Sequence, residues 1–292
     1  MNEFLSNPLA LLPVVLVLGL VIGSFLNVVI YRLPIMMHNQ WRAECCEFLE
    51  VDNENAPTKP FNLVEPNSTC PHCQHEIKPW ENIPIISYLF LKGKCASCRQ
   101  AISMRYPIIE AVTGLLSLYI AWVSGFGPEL LALLIFTWAL IALTMIDIDH
   151  KLLPDSITLP LMWLGLLVNT QGLITDLHSA VIGAALGYMS LWSVYWAFKL
   201  LTGKEGMGFG DFKLLAALGA WFGWQLLPIT IILSSLVGAV LGVLILTLQN
   251  KEKSTPIPFG PYLAIAGWIA MFWGHDINRL YLQFALGATP AP

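Results

Sequence analysis

The sequence predicts an all-α polytopic membrane protein, with about eight transmembrane helices and a cytoplasmic zinc-binding insertion after the first helix. Three observations carry that expectation. The chain of 292 residues is 56% hydrophobic and only 12% charged, with a mean hydropathy of +0.67, far from ordinary globular usage. Its apolar residues gather in runs on the scale of a bilayer crossing, which takes about 20 residues. All six cysteines fall in the one long polar segment between those runs. The net charge of −4 is spread over several loops and forms no basic face, which excludes a nucleic-acid partner.

The apolar runs place spans at residues 9–30, 107–123, 130–146, 157–171, 180–200, 212–224, 226–249 and 259–274. The sixth is short and glycine-bearing, so a full crossing is least supported there. Residues 1–23 are apolar enough for a secretory signal. Their start has no Lys or Arg, however, and the run continues to Ile30, which predicts a retained first span. Placing the first long loop inside puts 14 of the 15 basic residues in cytoplasmic segments and leaves only Arg279 outside. Both termini then lie outside, as an even number of spans also requires. Three regions follow: a first transmembrane helix over 1–30, a cytoplasmic domain over 31–106, and a transmembrane core over 107–292.

The cytoplasmic segment carries eight basic and eight acidic residues. Its first half, MHNQWRAECCEFLEVDNENAPTKPFNLVEPN, has neither helical nor alternating periodicity and is expected to form an irregular arm. Its second half holds CPHC (Cys70, Cys73) and CASC (Cys95, Cys98), separated by 21 residues. Each CxxC turn points two thiolates at one ion, and two turns complete a tetrahedral zinc shell. A reducing cytoplasm disfavours the alternative of disulfides. Four thiolates leave no open position, so the metal is expected to be structural and to supply folding energy to a segment too small for its own core. His72 and His75 are alternative ligands, expected instead as solvent-facing side chains. Cys45 and Cys46 have no partner pair.

Carboxylates mark the membrane edge. IDIDHKLLPD puts Asp147 at the end of the third span, with Asp149 and Asp155 beyond it. Ionisable groups at that depth are costly and tend to be functional. On a continuing helix Asp147 faces the bundle and Asp149, about 200° further round, faces away. Asp155 is placed to cap the fourth span. On the same side, KEGMGFGDFKLL sets Asp211 at the start of the sixth span behind Gly206, Gly208 and Gly210. A helix cap is one account of Asp211. The other is that the glycines let an extended peptide approach an aspartyl dyad, in which one carboxylate acts as base on water and its partner as acid. No phosphate loop, GxGxxG, HExxH or Ser/Cys nucleophile arrangement is present.

GMGFGD resembles the GxGD signature of intramembrane aspartyl proteases. Together with GSFLNVVIYRLP (residues 23–34), both CxxC pairs and IDIDHKLLPD, the set resembles the bacterial type IV prepilin peptidases from about Leu18 to Gly267. The resemblance implies a bifunctional inner-membrane enzyme with a cytoplasmic active site. It would cleave the leader of type IV prepilins or type II secretion pseudopilins and then N-methylate the exposed residue. Membrane lipid is its surroundings. The implied catalytic pair maps to Asp147 and Asp211, with Asp149 beside them. The implied methyl donor is S-adenosylmethionine, and Gly93 and Lys94 in KGKCASC fall in the implied donor region; a turn glycine and a solvated lysine are the alternative. Lys204 and Lys213 are expected as interfacial anchors, and Glu205 as a loop acid or a group supporting the dyad. Two other function classes compete: a transporter whose aspartates relay ions, and a membrane-anchored zinc scaffold whose carboxylates are caps.

Overall fold

The computed structural model describes residues 7–52, 60–249 and 258–286. Most of the inward-facing loop expected at 250–258, part of the arm at 53–59, and both terminal stretches lie outside the described residues. The α-helices are α1 (Pro8–Phe48), α2 (Ile86–Phe90), α3 (Arg105–Ser124), α4 (Pro128–His150), α5 (Asp155–Asn169), α6 (Leu177–Thr202), α7 (Phe209–Phe222), α8 (Leu227–Gln249) and α9 (Gly260–Leu286). Among the described residues the only β pairing is two isolated bridges. All but the short α2 stand where the apolar runs placed spans. Among the described residues five helical segments are long and apolar enough to cross a membrane unaided: α1, α3, α4, α6 and the Trp224–Leu241 stretch, a short 3-10 turn continued by α8. The chain divides into two compact units, 1–142 and 143–292, with the boundary inside α4.

In the first unit, the Asn7 side chain caps α1 and Pro8 stands in its first turn. The helix does not stop near Ile30 but runs to Phe48, which corrects the expectation of an irregular arm from the start of the loop. Extending an existing helix adds one hydrogen bond per residue fixed and needs no new nucleus, so a polar, unpatterned continuation stays helical. Gln40 and Glu44 bond at 2.8 Å one turn apart within it. Residues 60–67 are irregular as expected. There Asn62 Oδ1 accepts from the Val64 and Glu65 N–H groups, and the buried Arg32 guanidinium donates to the carbonyls of Asn62 (3.0 Å) and Pro66 (2.6 Å).

α1 packs on α3 at near backbone distance. A Cβ on Gly23 would fall 2.8 Å from Glu110 Cα, and one on Gly19 3.0 Å from Gly114 Cα. Small residues at such contacts are how membrane helices gain packing that lipid does not drive. The Asn27 side chain donates to the Tyr106 carbonyl at 3.2 Å, and the Trp138 indole to Ser117 Oγ at 3.0 Å. Glu110, buried in α3, accepts the Ile85 N–H at 2.8 Å.

The second unit is organised around α7. All but one of its residues from Asp211 to Phe222 are buried, Lys213 being the exception. A helix apolar all round is one surrounded by others. Its 14 residues reach about 21 Å, too short to span alone, which is why the sequence supports a crossing least there. α6 meets it through Gly183 and Gly187, spaced four apart, set against the backbone of Gly219 and Leu215. α5 is tied to it by hydrogen bonds: Asn169 donates to the Ala220 and Trp221 carbonyls (2.9 Å each) and accepts from Ile174 and Thr175, while the Trp221 indole donates to Leu161 O at 2.8 Å. These bonds satisfy groups at the C-terminal end of α7 that would otherwise be orphaned in an apolar interior.

Candidate active site and metal centre

The cysteine pairs sit on two knuckles that repeat with an offset of 25 residues. In the first, Cys70 N–H donates to His75 O, Gln74 N–H to Cys70 O and Ile77 N–H to Ser68 O. In the second, Cys95 N–H donates to Gln100 O, Arg99 N–H to Cys95 O and Ile102 N–H to Gly93 O. Gln74 (φ 59°) and Arg99 (φ 61°) take the same left-handed turn, and the bridges Thr69–Glu76 and Lys94–Ala101 close the two loops. The match between STCPHCQHEI and GKCASCRQAI is too short to register as a sequence repeat.

The knuckles bring Cys70, Cys73, Cys95 and Cys98 together, all four sulfurs within 4.8 Å of one another. Cys70–Cys98 and Cys73–Cys95 sulfurs are each 3.9 Å apart, with no disulfide among them. Zn–S bonds of about 2.3 Å set tetrahedral sulfur edges of about 3.8 Å, so this donor set fits the ion. The Gln100 N–H favours the Cys98 thiolate, yet desolvation and the three facing thiols push this thiol up to about 11. A bound cation reverses that balance. His72 is exposed as expected. His75 is half-buried, and its ring bonds Glu81 at 3.1 Å. The Lys78 N–H, and then the His75 ring, hold the Glu81 carboxyl below the usual range. Cys45 and Cys46 stay outside the cluster.

Gly93 and Lys94 are occupied by the knuckle. Gly93 has φ 67°, its N–H donates to Tyr88 O at 2.8 Å, and a Cβ there would meet the Tyr88 ring. Lys94 N–H donates to Leu91 O at 3.1 Å. Gly93 is thus part of the knuckle, and the Lys94 side chain is exposed.

In the second unit Asp147 and Asp211 are 5% and 8% exposed and lie within electrostatic reach of each other. Asp147 occupies the last turn of α4, and Asp211 is the third residue of α7. Asp211 is not the cap of that helix. Gly208 is, without a side-chain cap bond. Neighbouring glycines are packed closely: a Cβ on Gly210 would fall 2.8 Å from Leu153, and one on Gly260 would fall 2.6 Å from Asp147 Oδ2 and 3.1 Å from the same Leu153. Leu153 is therefore a buried wedge between the glycines that flank the two acids. Gly260 also donates its N–H to Asp147 Oδ2 at 3.0 Å.

Sequence reasoning did not single out Gly260 or Leu153. The signal for Gly260 was the PFGPY stretch, a glycine before proline at a helix start, where a close backbone approach is common. Asp149 is exposed on the far face of α4, as its angular position predicts. Asp155 does not cap α5, whose cap is Pro154. Its carboxylate instead takes the Lys213 ammonium at 2.6 Å, so Lys213 is an ion-pair partner across helices. Glu205 is an exposed loop acid paired with Lys199 at 2.8 Å.

Residues 17–124 match the family model of the bacterial peptidase A24 N-terminal domain, and residues 134–243 that of the type IV leader peptidase family. A prepilin leader peptidase/N-methyltransferase of Stutzerimonas stutzeri is 61% identical over 97% of this chain and 98% of its own length. The protein of that name in Pseudomonas aeruginosa is 61% identical over 96% of each chain, and that of Legionella pneumophila 47% identical over 91% and 92%. No solved structure matches the chain. With both halves matched in order and relatives covered nearly end to end, the chain belongs to the prepilin leader peptidase/N-methyltransferase family of membrane proteins.

Proposed function

We propose that the protein cleaves the leader peptide of type IV prepilins and type II secretion pseudopilins, and N-methylates the new N-terminal residue. The observation that best supports the cleavage chemistry is two buried carboxylates, Asp147 and Asp211, in one glycine-lined site. Gly260 N–H engages one oxygen of Asp147, which leaves the other for water. One ionised carboxylate takes a proton from that water as its oxygen bonds the scissile carbonyl carbon. The other, protonated, gives its proton to the carbonyl oxygen. Collapse of the diol breaks the C–N bond, a proton passes to the leaving amine, and the dyad again holds one proton. Gly208 leaves open space beside Asp211, where an extended backbone can approach, while Gly210 and Gly260 let Leu153 and Asp147 pack against the backbone.

In this reading the knuckles and the dyad face the cytoplasm of a bacterial inner membrane, both termini are periplasmic, and lipid surrounds the helices. The basic charge on the inward segments supports that orientation. Cys70, Cys73, Cys95 and Cys98 hold a structural zinc, which fixes the two knuckles and takes no part in cleavage. S-adenosylmethionine supplies a methyl group that leaves sulfur for the freed amine. Gly93 and Lys94 enter the donor region through the family resemblance; Gly93 also shapes the turn of the knuckle, and the Lys94 side chain is exposed.

Incubating the purified protein with a prepilin, with and without the methyl donor, tests the reading by product mass. Leader loss is expected in both samples and one added methyl group only with the donor. An intact prepilin, with ion movement in reconstituted vesicles, would replace this reading with the transporter. Binding of prepilin without processing would point to the scaffold.

A further inference from the structure

Residues 83–91, IPIISYLFL, join the two knuckles and contain no charged side chain. They are too short for a span, and such a length fits an interfacial or re-entrant segment. Within them α2 is two-faced. Ile86, Leu89 and Phe90 cluster within about 100° of the helix circumference and are 51%, 67% and 83% exposed. On the opposite arc Ser87 is buried and donates to Trp80 O at 2.7 Å, and the Tyr88 hydroxyl donates to Ile102 O at 3.4 Å. The polar side of α2 thus holds the knuckles, and its apolar side is exposed among the described residues.

Two observations fix the depth of that apolar side. The Ile85 N–H, immediately before α2, donates to the Glu110 carboxylate at 2.8 Å. Glu110 lies five residues into α3, about 7–8 Å along a membrane-spanning helix, and its Cα packs against Gly23 of α1. Ile85 holds this position at φ 61°, a left-handed conformation unusual for a β-branched residue. The α2 face therefore starts beside the first turns of α3, within reach of the apolar belt of a bilayer. Lys78 and Lys92 bracket the segment, with exposed Trp80 and Ile83 between them, and the Lys78 ammonium lies 5.4 Å from the Trp80 ring centre. Aromatic rings and snorkelling cations are the usual markers of the headgroup boundary.

We infer that α2 is a membrane-inserted foot: Ile86, Leu89 and Phe90 enter the inner leaflet of the bilayer and hold the metal-binding knuckles flat against its surface. The occupant of this face is lipid, not a second protein. The foot keeps the knuckle pair at the level where a membrane-held substrate emerges, and it does not depend on which reaction follows.

The test uses the full-length protein in lipid nanodiscs, with a nitroxide on a genetically encoded keto residue at position 89 or 90. The expected result is collision with oxygen favoured over a water-soluble nickel chelate, as at the lipid-facing Val17 of α1. A label at His72 should show the opposite preference. Equal nickel access at 90 and 72 overturns the inference, and so does spin–spin broadening at 90, which would mean a second copy covers the face. Leu89→Glu combined with Phe90→Glu should cut labelling of residues 83–91 by a membrane-partitioned carbene at least fivefold while bound zinc stays constant. Unchanged labelling in that variant also overturns it.

Discussion

The two ends of this protein's chemistry are built by opposite means. The knuckle pair is assembled from backbone hydrogen bonds and four sulfurs. It has almost no core of its own, and only Ser87, Gly93, Cys70 and Cys95 are buried within residues 68–102. The α7 region is nearly all core, with backbone against backbone at Gly183–Gly219 and side chains closing every face. A centre that draws its order from a metal survives poor packing but not the loss of a ligand. A centre that draws its order from packing is sensitive to one methyl group in the wrong place.

That contrast is broken most strongly at the dyad. Asp147→Asn or Asp211→Asn is expected to lower leader cleavage by about 10³-fold or more, since each removes a required proton carrier. Bound zinc, measured by elemental analysis, should be unchanged. Normal cleavage by either variant would remove that aspartate from the mechanism.

Gly260→Ala comes next. Its Cβ would fall 2.6 Å from Asp147 Oδ2, and a displaced carboxylate is expected to cost about 10²-fold in kcat with KM little altered. A selective rise in KM would instead mean that Gly260 contacts substrate.

Cys70→Ser with Cys98→Ser reverses the pattern. Zinc should be lost and residues 68–102 should become open to protease, because metal binding of about 10–16 kcal/mol is the folding energy of such modules. Full zinc occupancy in the double variant would refute the four-sulfur assignment. Cleavage should fall far less than in the aspartate variants.

Asn169→Ala should destabilise the second unit by about 2–4 kcal/mol, by orphaning two buried carbonyls and freeing two N–H groups of the part-buried loop after α5. Thermal unfolding in detergent reads it. The smallest effect belongs to Asp155→Asn. Its ion pair with Lys213 is about half exposed on the Asp155 side, and such pairs contribute about 0–1 kcal/mol. A loss as large as that of Asn169→Ala would show that the pair positions the dyad.

How legible each part was follows from how far its information travels along the chain. CxxC is readable because a metal's geometry demands two ligands three residues apart, and the knuckles needed only a 25-residue echo. The burial of Asp147 against the exposure of Asp149 was readable too, because helical rotation alone separates them. The extension of α1 to Phe48 was not, since it rests on continuation of an existing helix and leaves no periodic pattern. Nor was the loss of the cap role by Asp211 and Asp155: Gly208 and Pro154 take the cap positions, and a distant lysine claims Asp155.

By itself the sequence determined that the chain lives in a membrane, where its helices run, which sulfurs gather and which acids stand at the ends of its apolar runs. Those properties follow from hydropathy, period and spacing, all of which act over a few residues. Only the tertiary structure decided that Leu153 wedges between Gly210 and Gly260, that a backbone N–H 113 residues away reaches Asp147, and that Glu110 takes the Ile85 N–H before α2. Such pairings are chosen by which helix faces fit at backbone distance, and close fit between remote segments leaves no periodic mark in either one.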